Sequence, residues 1–325
     1  MQDDIGQVAW TTDALRAAYP EFQAVYKDRP LASNDGGMKA PHAFLTWFIM
    51  KTCQPSLIVE SGVWRGQGTW LIEQACPEAE LVCLDIDFSP LVYKASNAEY
   101  IQSDFDTVDF SDRDLSAAIC FFDDHQNALT RLQQMLWKGF RTAIFEDNYP
   151  TGKGDCYSLK QAFAGVGQAP PTEQTASRPS LLKRLKGTNL VEAQAAHVPP
   201  NLAHRHTLMS RIKTYYEGPP LLRLETTRWG DPWDDRTYPT KPALFTEDEA
   251  DEQTKAEAAF FTWLCFVEID GVQAHRLKSP ANTHMQIMCL NAPEPGAASG
   301  RHQTGEVQMT CRSATPKWRT IARWC

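Results

Sequence analysis

One stretch constrains the fold more than any other. Leu57-Ile58-Val59 is an apolar run of strand type. Glu60 follows, then Gly62, Gly66 and Gly68, and Thr69-Trp70-Leu71-Ile72-Glu73 reads as the start of a helix. Strand, glycine turn and helix in this order begin an open α/β sheet. Glycines give the backbone positive φ and let a ligand come close. The helix N-terminus adds free N–H groups and a partial positive charge. The spacing Gly62, Gly66, Gly68 is not the dinucleotide fingerprint G-x-G-x-x-G. Without a lysine after Gly68 it is not the phosphate loop either.

Four more apolar runs follow, each ending in an acid. Leu81-Val82-Cys83-Leu84 leads to Asp85, with Asp87 close behind, and Ala98 to Ser103 leads to Asp104. Ala117 to Phe122 leads to Asp123-Asp124-His125, and Thr142-Ala143-Ile144-Phe145 leads to Glu146-Asp147. Helical patterns at 69–75 and 128–137 separate the runs at the length of β-α-β crossovers. Ligands of open parallel sheets bind beyond the carboxyl ends of the strands, so the acids Glu60, Asp85, Asp104, Asp123 and Glu146 are expected around one site. Carboxylates gathered from adjacent strand ends repel unless they are protonated or bridged by a cation. An all-oxygen set suits Mg²⁺, Mn²⁺ or Ca²⁺ better than zinc.

An acid followed by Gly62-x-x-x-Gly66-x-Gly68 resembles the first motif of class I S-adenosylmethionine (SAM) methyltransferases. The Asp-Asp-His after the fourth strand and Glu-Asp after the fifth resemble the metal-dependent sugar O-methyltransferases of macrolide biosynthesis and their relative, cephalosporin hydroxylase. The resemblance covers about residues 38 to 165. It implies a Rossmann-like SAM methyltransferase sandwich: an α/β fold with a mostly parallel seven-stranded sheet, a late antiparallel hairpin and an insertion after strand five. It implies SAM contacts from Glu60, Gly62, Gly66, Gly68, Thr69, Asp85 and Asp104. Asp85 would take the ribose hydroxyls and Asp104 would lie beside the adenine. Mg²⁺ or another divalent cation would be held by Asp123, Glu146 and Asp147, with His125 as the base and Asp124 as a second catalytic group. The family places its histidine three residues after the ligand Asp, whereas His125 is two after Asp123, so Asp123 and Asp124 could exchange roles. The reaction implied is O-methylation of a small polar or sugar-like molecule. Two alternatives are non-methylating, hydroxylase-like metal chemistry and a non-catalytic SAM-binding protein.

The rest of the chain sets the frame. A capped helix is expected from Thr11-Thr12-Asp13, and a second, densely apolar helix from Pro41 to Met50 should pack under the sheet before Pro55 ends it. Residues 1–55 form this helical cap, 56–165 the SAM-binding core and 166–255 an insertion or substrate lid. The lid includes Arg228-Trp229-Gly230-Asp231-Pro232-Trp233, rich in rings and charges. Residues 256–290 supply the last strands, read at 260–269 and 284–290, and 291–325 a mobile tail.

The net charge of −8 disfavours nucleic acid, whose phosphates need clustered Lys and Arg. The one basic knot, Lys183-Arg184-Leu185-Lys186, reads as a solvated face. No apolar run reaches the roughly 20 residues of a membrane span, and Met1 to Asp4 carries no apolar signal region. The nine cysteines form no C-x-x-C pair. Cys53, Cys76, Cys83 and Cys120 are expected as buried free thiols in a reducing compartment. The expectation is a soluble, cytoplasmic enzyme whose partner is a small molecule.

Overall fold

In the computed structural model, described for residues 4–166 and 203–270, the apolar runs form one sheet. Its strands are β1 (Leu57–Ser61), β2 (Glu80–Asp85), β3 (Ala98–Gln102), β4 (Ala118–Phe122), β5 (Thr142–Phe145), β6 (Ile212–Glu217) and β7 (Cys265–Ile269). The order is β3-β2-β1-β4-β5-β7-β6. Strands β1 to β5 pair in parallel, and β7 runs antiparallel to both β5 and β6. This is the seven-stranded, mostly parallel α/β sheet with a late antiparallel pair expected of the chain.

Every residue of β1 and β4 is buried, as expected for central strands covered on both faces. Side chains alternate between two cores. Ile58 and Cys83 join the core built with α1 (Thr12–Tyr26), α2 (Ala40–Cys53) and α3 (Gln67–Ala75). Leu57, Val59 and Cys120 join the core under α4 (Ala128–Lys138) and α5 (Leu159–Phe163). Helix α1 has the Thr11 cap expected of it and buries Leu15, Tyr19, Phe22 and Tyr26, one stripe at helical spacing. Helix α2 begins with Pro41 in its first turn and is buried from Ala40 to Met50.

The late antiparallel pair exists, but its partner strand differs from the expected one. Strand β7 comes from the anticipated 260–269 stretch, and its neighbour is β6, from within the segment expected to be an insertion. Residues 218–264 connect them, including α7 (Glu252–Glu257), so the pair is no tight hairpin. Ahead of β6 lies α6 (Ala203–Met209). The strand read at 284–290, the basic knot at 183–186, most of the 167–205 loop and the tail 291–325 lie outside the described residues. Among the described residues no helix is long and apolar enough to cross a membrane. Cys76, Cys83 and Cys120 are buried free thiols, but Cys53, at the last turn of α2, is exposed.

Candidate active site

The glycine turn after β1 is held by contacts only glycine allows. Gly62 has φ +91°, and a Cβ there would lie 2.1 Å from the Asp123 carbonyl oxygen. The exits of β1 and β4 therefore touch backbone to backbone. Asp85, ending β2, clasps the same turn: its Oδ2 accepts the N–H groups of Val63 and Trp64, both at 2.9 Å. Its Oδ1 takes the N–H of Asp87 at 3.0 Å and keeps a lone pair free. A cleft of about 330 Å³ opens here, and its wall includes Gly62, Asp85, Asp104, Asp123 and His125. Residues expected on the cofactor side and on the metal side thus share one cavity.

Four expected cofactor residues do not reach it. Glu60 is buried against α3, where its Oε2 accepts the Thr69 hydroxyl at 2.5 Å and its Oε1 has no partner among the described residues. Burial pushes the Glu60 carboxyl up to about 8. Thr69 is fully buried, and Gly68 lets α3 approach, since a Cβ there would come within 2.5 Å of Glu60 Oε1. Gly66 caps α3 at φ +87° and abuts the Tyr93 carbonyl. The reason is strand parity: side chains alternate along β1, so Ser61 lines the cleft while Glu60 enters the core.

Arg131, from the buried face of α4, links two of the expected acids. Its Nη1 and Nη2 donate to Asp104 Oδ1 and Oδ2 at 2.9 and 2.7 Å, and its Nε donates to Asp124 Oδ2 at 2.9 Å. This guanidinium holds the Asp104 carboxyl below its ordinary range. Asp124 Oδ2 also takes the Ser61 hydroxyl at 2.6 Å, and Oδ1 takes the Gln126 N–H at 3.2 Å. With both oxygens engaged, Asp124, expected as a second catalytic group, braces the wall of the cleft in this structure. Asp123 is the acid that faces the metal side.

Donor atoms of Asp123, His125 and Asp147 lie within 4.8 Å of one another. His125 sits at φ +52°, a left-handed conformation that histidine adopts more readily than most non-glycine residues. Its Nδ1 lies 3.2 Å from Asp147 Oδ2 and 3.1 Å from Asp155 Oδ1. The Asp155 hydrogen bond lifts the imidazole to about 9 against the opposing effect of burial, and Asp147 adds to it. Burial first, then the neighbouring carboxylates, pushes Asp123 and Asp147 well above the ordinary range. Asp147 Oδ2 is buried without a hydrogen bond among the described residues. Two buried carboxylates disfavoured as anions, set beside an imidazole, fit a divalent cation between them.

Glu146 does not join this set. It is buried, and its Oε1 is bonded to His42 Nδ1 at the start of α2. The Thr262 backbone N–H donates to His42 Nε2 at 2.8 Å. A backbone N–H can only donate, so Nε2 accepts and the proton sits on Nδ1, directed at Glu146. Burial alone would raise Glu146, but the two histidines nearby outweigh it and keep the carboxyl low.

The loop after β5 is fixed from behind. Asn148 Nδ2 donates to the Tyr215 hydroxyl at 2.9 Å, and Tyr215 donates to Glu217 Oε1 at 2.5 Å. Lys160 Nζ donates to Glu217 Oε2 at 2.6 Å, and the Lys160 N–H donates to Asn148 Oδ1 at 2.8 Å. The aromatic segment expected as a lid packs on this loop too, with the Trp229 and Tyr149 rings 6.1 Å apart and Lys153 paired to Asp231 at 2.5 Å. His42, Arg131, Lys160 and Asp155 were not singled out in the sequence. Arg131 had a visible signal, a charge on the same helical face as Ala128, Leu132 and Met135. His42 had none beyond its place in an apolar helix.

No family model matches the chain, and no curated protein matches it. Solved structures do. The cmcI-D160 structure with Mg and SAM is 21% identical with a TM-score of 0.27, covering 33% of this chain and 52% of that one, about half its length. A Podospora anserina methyltransferase, PaMTH1, bound to SAH (S-adenosylhomocysteine) is 14% identical with a TM-score of 0.35, covering 64% and 83%. The Streptomyces achromogenes O-methyltransferase TomG, involved in tomaymycin synthesis and in complex with SAM, is 12% identical with a TM-score of 0.35, covering 66% and 85%. At these values the likeness carries no argument here; the sheet order, with its late antiparallel pair, agrees with the fold that the sequence resemblance implies.

Proposed function

We propose that the chain is a SAM-dependent methyltransferase acting on an oxygen of a small polar acceptor beside a divalent cation. The observation that carries this reading is the shared cleft, which runs from Gly62, Asp85 and Asp104 to Asp123 and His125 without a break. At the cofactor end, Gly62 leaves backbone open to the methionine part, and Asp85 Oδ1 has a lone pair for a ribose hydroxyl. Ile86, 74% exposed on the cleft wall, offers an apolar surface to a flat ring. Arg131 keeps Asp104 and Asp124 fixed and largely neutralised, so neither competes for the sulfonium.

At the other end, Asp123 and Asp147 would hold the cation, with Mg²⁺ the ion the sequence resemblance suggests. When bound, it would make an acceptor hydroxyl more acidic. The His125–Asp155 pair at the exposed rim is the group placed to take the acceptor's proton, which requires the imidazole in its neutral form, above about pH 9 in the metal-free chain. Methyl transfer needs the acceptor oxygen in line with the sulfonium, so alignment is the protein's main task. The Asn148–Tyr215–Glu217–Lys160 chain supports that alignment by fixing the backbone next to Asp147. Free thiols among the described residues suit the reducing, cytoplasmic setting expected.

The test is calorimetric titration of the full chain with SAM, with and without a divalent cation, repeated on Asp85→Ala. Saturable SAM binding that weakens in the variant supports the reading. Equal binding by Asp85→Ala, or no binding by the native chain, removes the cofactor site.

A further inference from the structure

We propose that the cation site is a mixed nitrogen–oxygen site, built from Asp123, His125 Nδ1 and Asp147, and that it selects a transition-metal dication over Mg²⁺. The proposal deepens the cation half of the function above. It also departs from the Asp–Glu–Asp oxygen set that the sequence resemblance implies.

Three observations carry it. The donor atoms that meet are those of Asp123, His125 and Asp147, and Glu146 is not among them. Glu146 is held behind them: its Oε1 is taken by the proton that Thr262 directs onto His42 Nδ1, and its carboxylate lies against that of Asp147. Asp147 is only 8% exposed, yet its Oδ2 has no hydrogen bond among the described residues, and the nitrogen facing it is His125 Nδ1 at 3.2 Å. The remaining acid nearby, Asp124, is bound to Arg131 and Ser61. The donors that meet within 4.8 Å of one another are two carboxylates and one imidazole. Mg²⁺ favours oxygen donors and dehydrates reluctantly, whereas imidazole suits later transition-metal dications such as Fe²⁺, Co²⁺, Ni²⁺ and Zn²⁺. With Nδ1 on the ion, the partner left to take the acceptor's proton is Asp155 Oδ1, exposed at the rim.

The test uses the full chain stripped of metal with a chelator and titrated separately with Co²⁺ and Mg²⁺. Calorimetry gives the affinities, and the visible absorption of bound Co²⁺ reports its ligands. All-oxygen sites also hold Co²⁺ more tightly than Mg²⁺, so the decisive readout is the change on substitution. His125→Asn replaces the nitrogen by an oxygen and tolerates the left-handed backbone. It should cost Co²⁺ roughly tenfold or more, cost Mg²⁺ less than about threefold, and shift the Co²⁺ spectrum. Asp147→Asn should weaken both ions, and Glu146→Gln should weaken Co²⁺ less than His125→Asn does. An unchanged Co²⁺ affinity and spectrum in His125→Asn would overturn the proposal. So would a larger loss in Glu146→Gln, or no cation binding by the native chain. SAM titrated into the same samples separates the two ideas. Co²⁺ binding as described without SAM binding keeps this site and removes the methyltransferase reading. SAM binding with a silent His125→Asn does the reverse.

Discussion

Glu60→Gln isolates the energetics of the buried acid beneath the glycine turn. The Glu60 carboxyl is moved by burial from its ordinary 4.5 to about 8. Between those values the folded chain holds a proton that the unfolded chain has released. More protons bound in the folded state means that stability falls as pH rises. The loss begins near pH 4.5 and is complete above about pH 8. At ~1.4 kcal/mol per pH unit, the whole interval is worth up to ~5 kcal/mol, and relaxation around the charge will reduce it. Glutamine keeps an oxygen for the Thr69 hydroxyl and does not titrate. Its amide NH₂ lacks an acceptor, but so does the proton of neutral Glu60, since Oε1 has no partner. The two proteins should therefore match within about 1 kcal/mol at pH 5. At pH 8 the variant should be more stable by ~3–5 kcal/mol. Urea unfolding followed by tryptophan fluorescence at pH 5, 6.5 and 8 measures the difference, and other titrating groups cancel in it. A difference that does not change with pH would refute the argument and show that Glu60 is ionised in its buried position.

Two further substitutions probe the walls of the cleft. Gly62→Ala puts a methyl group 2.1 Å from the Asp123 carbonyl oxygen in a left-handed conformation; it should cost at least ~2 kcal/mol in urea unfolding and weaken SAM binding, and a neutral effect would mean the turn is not locked to β4. Arg131→Met strips the counter-charge from Asp104 and Asp124. The loss should be ~3 kcal/mol, because Asp124 is nearly buried while Asp104 is partly screened by solvent; a cost below about 1 kcal/mol in the same assay would show that the triad adds little.

Much of this arrangement is legible in the sequence because sheet physics fixes it. Buried parallel strands must be continuous apolar runs, and their ends must gather at one edge, so the strand-end acids Glu60, Asp85, Asp104, Asp123 and Glu146 are all expected there; Asp85, Asp104 and Asp123 line the cleft, and Glu60 and Glu146 do not. Side-chain direction was harder to read. Glu60 and Ser61 differ by one step along β1, and that step sends one into the core and the other into the cleft. Asp123 and Asp124, alike in the sequence, part by their partners: Arg131 reaches Asp124 from α4, while Asp123 lies with His125 and Asp147. His42 meets Glu146 across more than a hundred residues of chain, a contact no local pattern encodes. Strand β6 gives little signal because Ile212–Glu217 is half polar and runs directly into Gly218-Pro219-Pro220, which reads as loop. Its burial comes from pairing with β7, not from its own pattern.

The most direct test of the central claim, one cleft serving cofactor and cation together, is a crystal structure with SAH and Mn²⁺, using anomalous diffraction to locate the metal. The account places SAH along Gly62 with its ribose at Asp85, and a single manganese peak between Asp123 and Asp147. SAH bound away from Gly62, or manganese found only outside the Asp123–Asp147 pair, would contradict it.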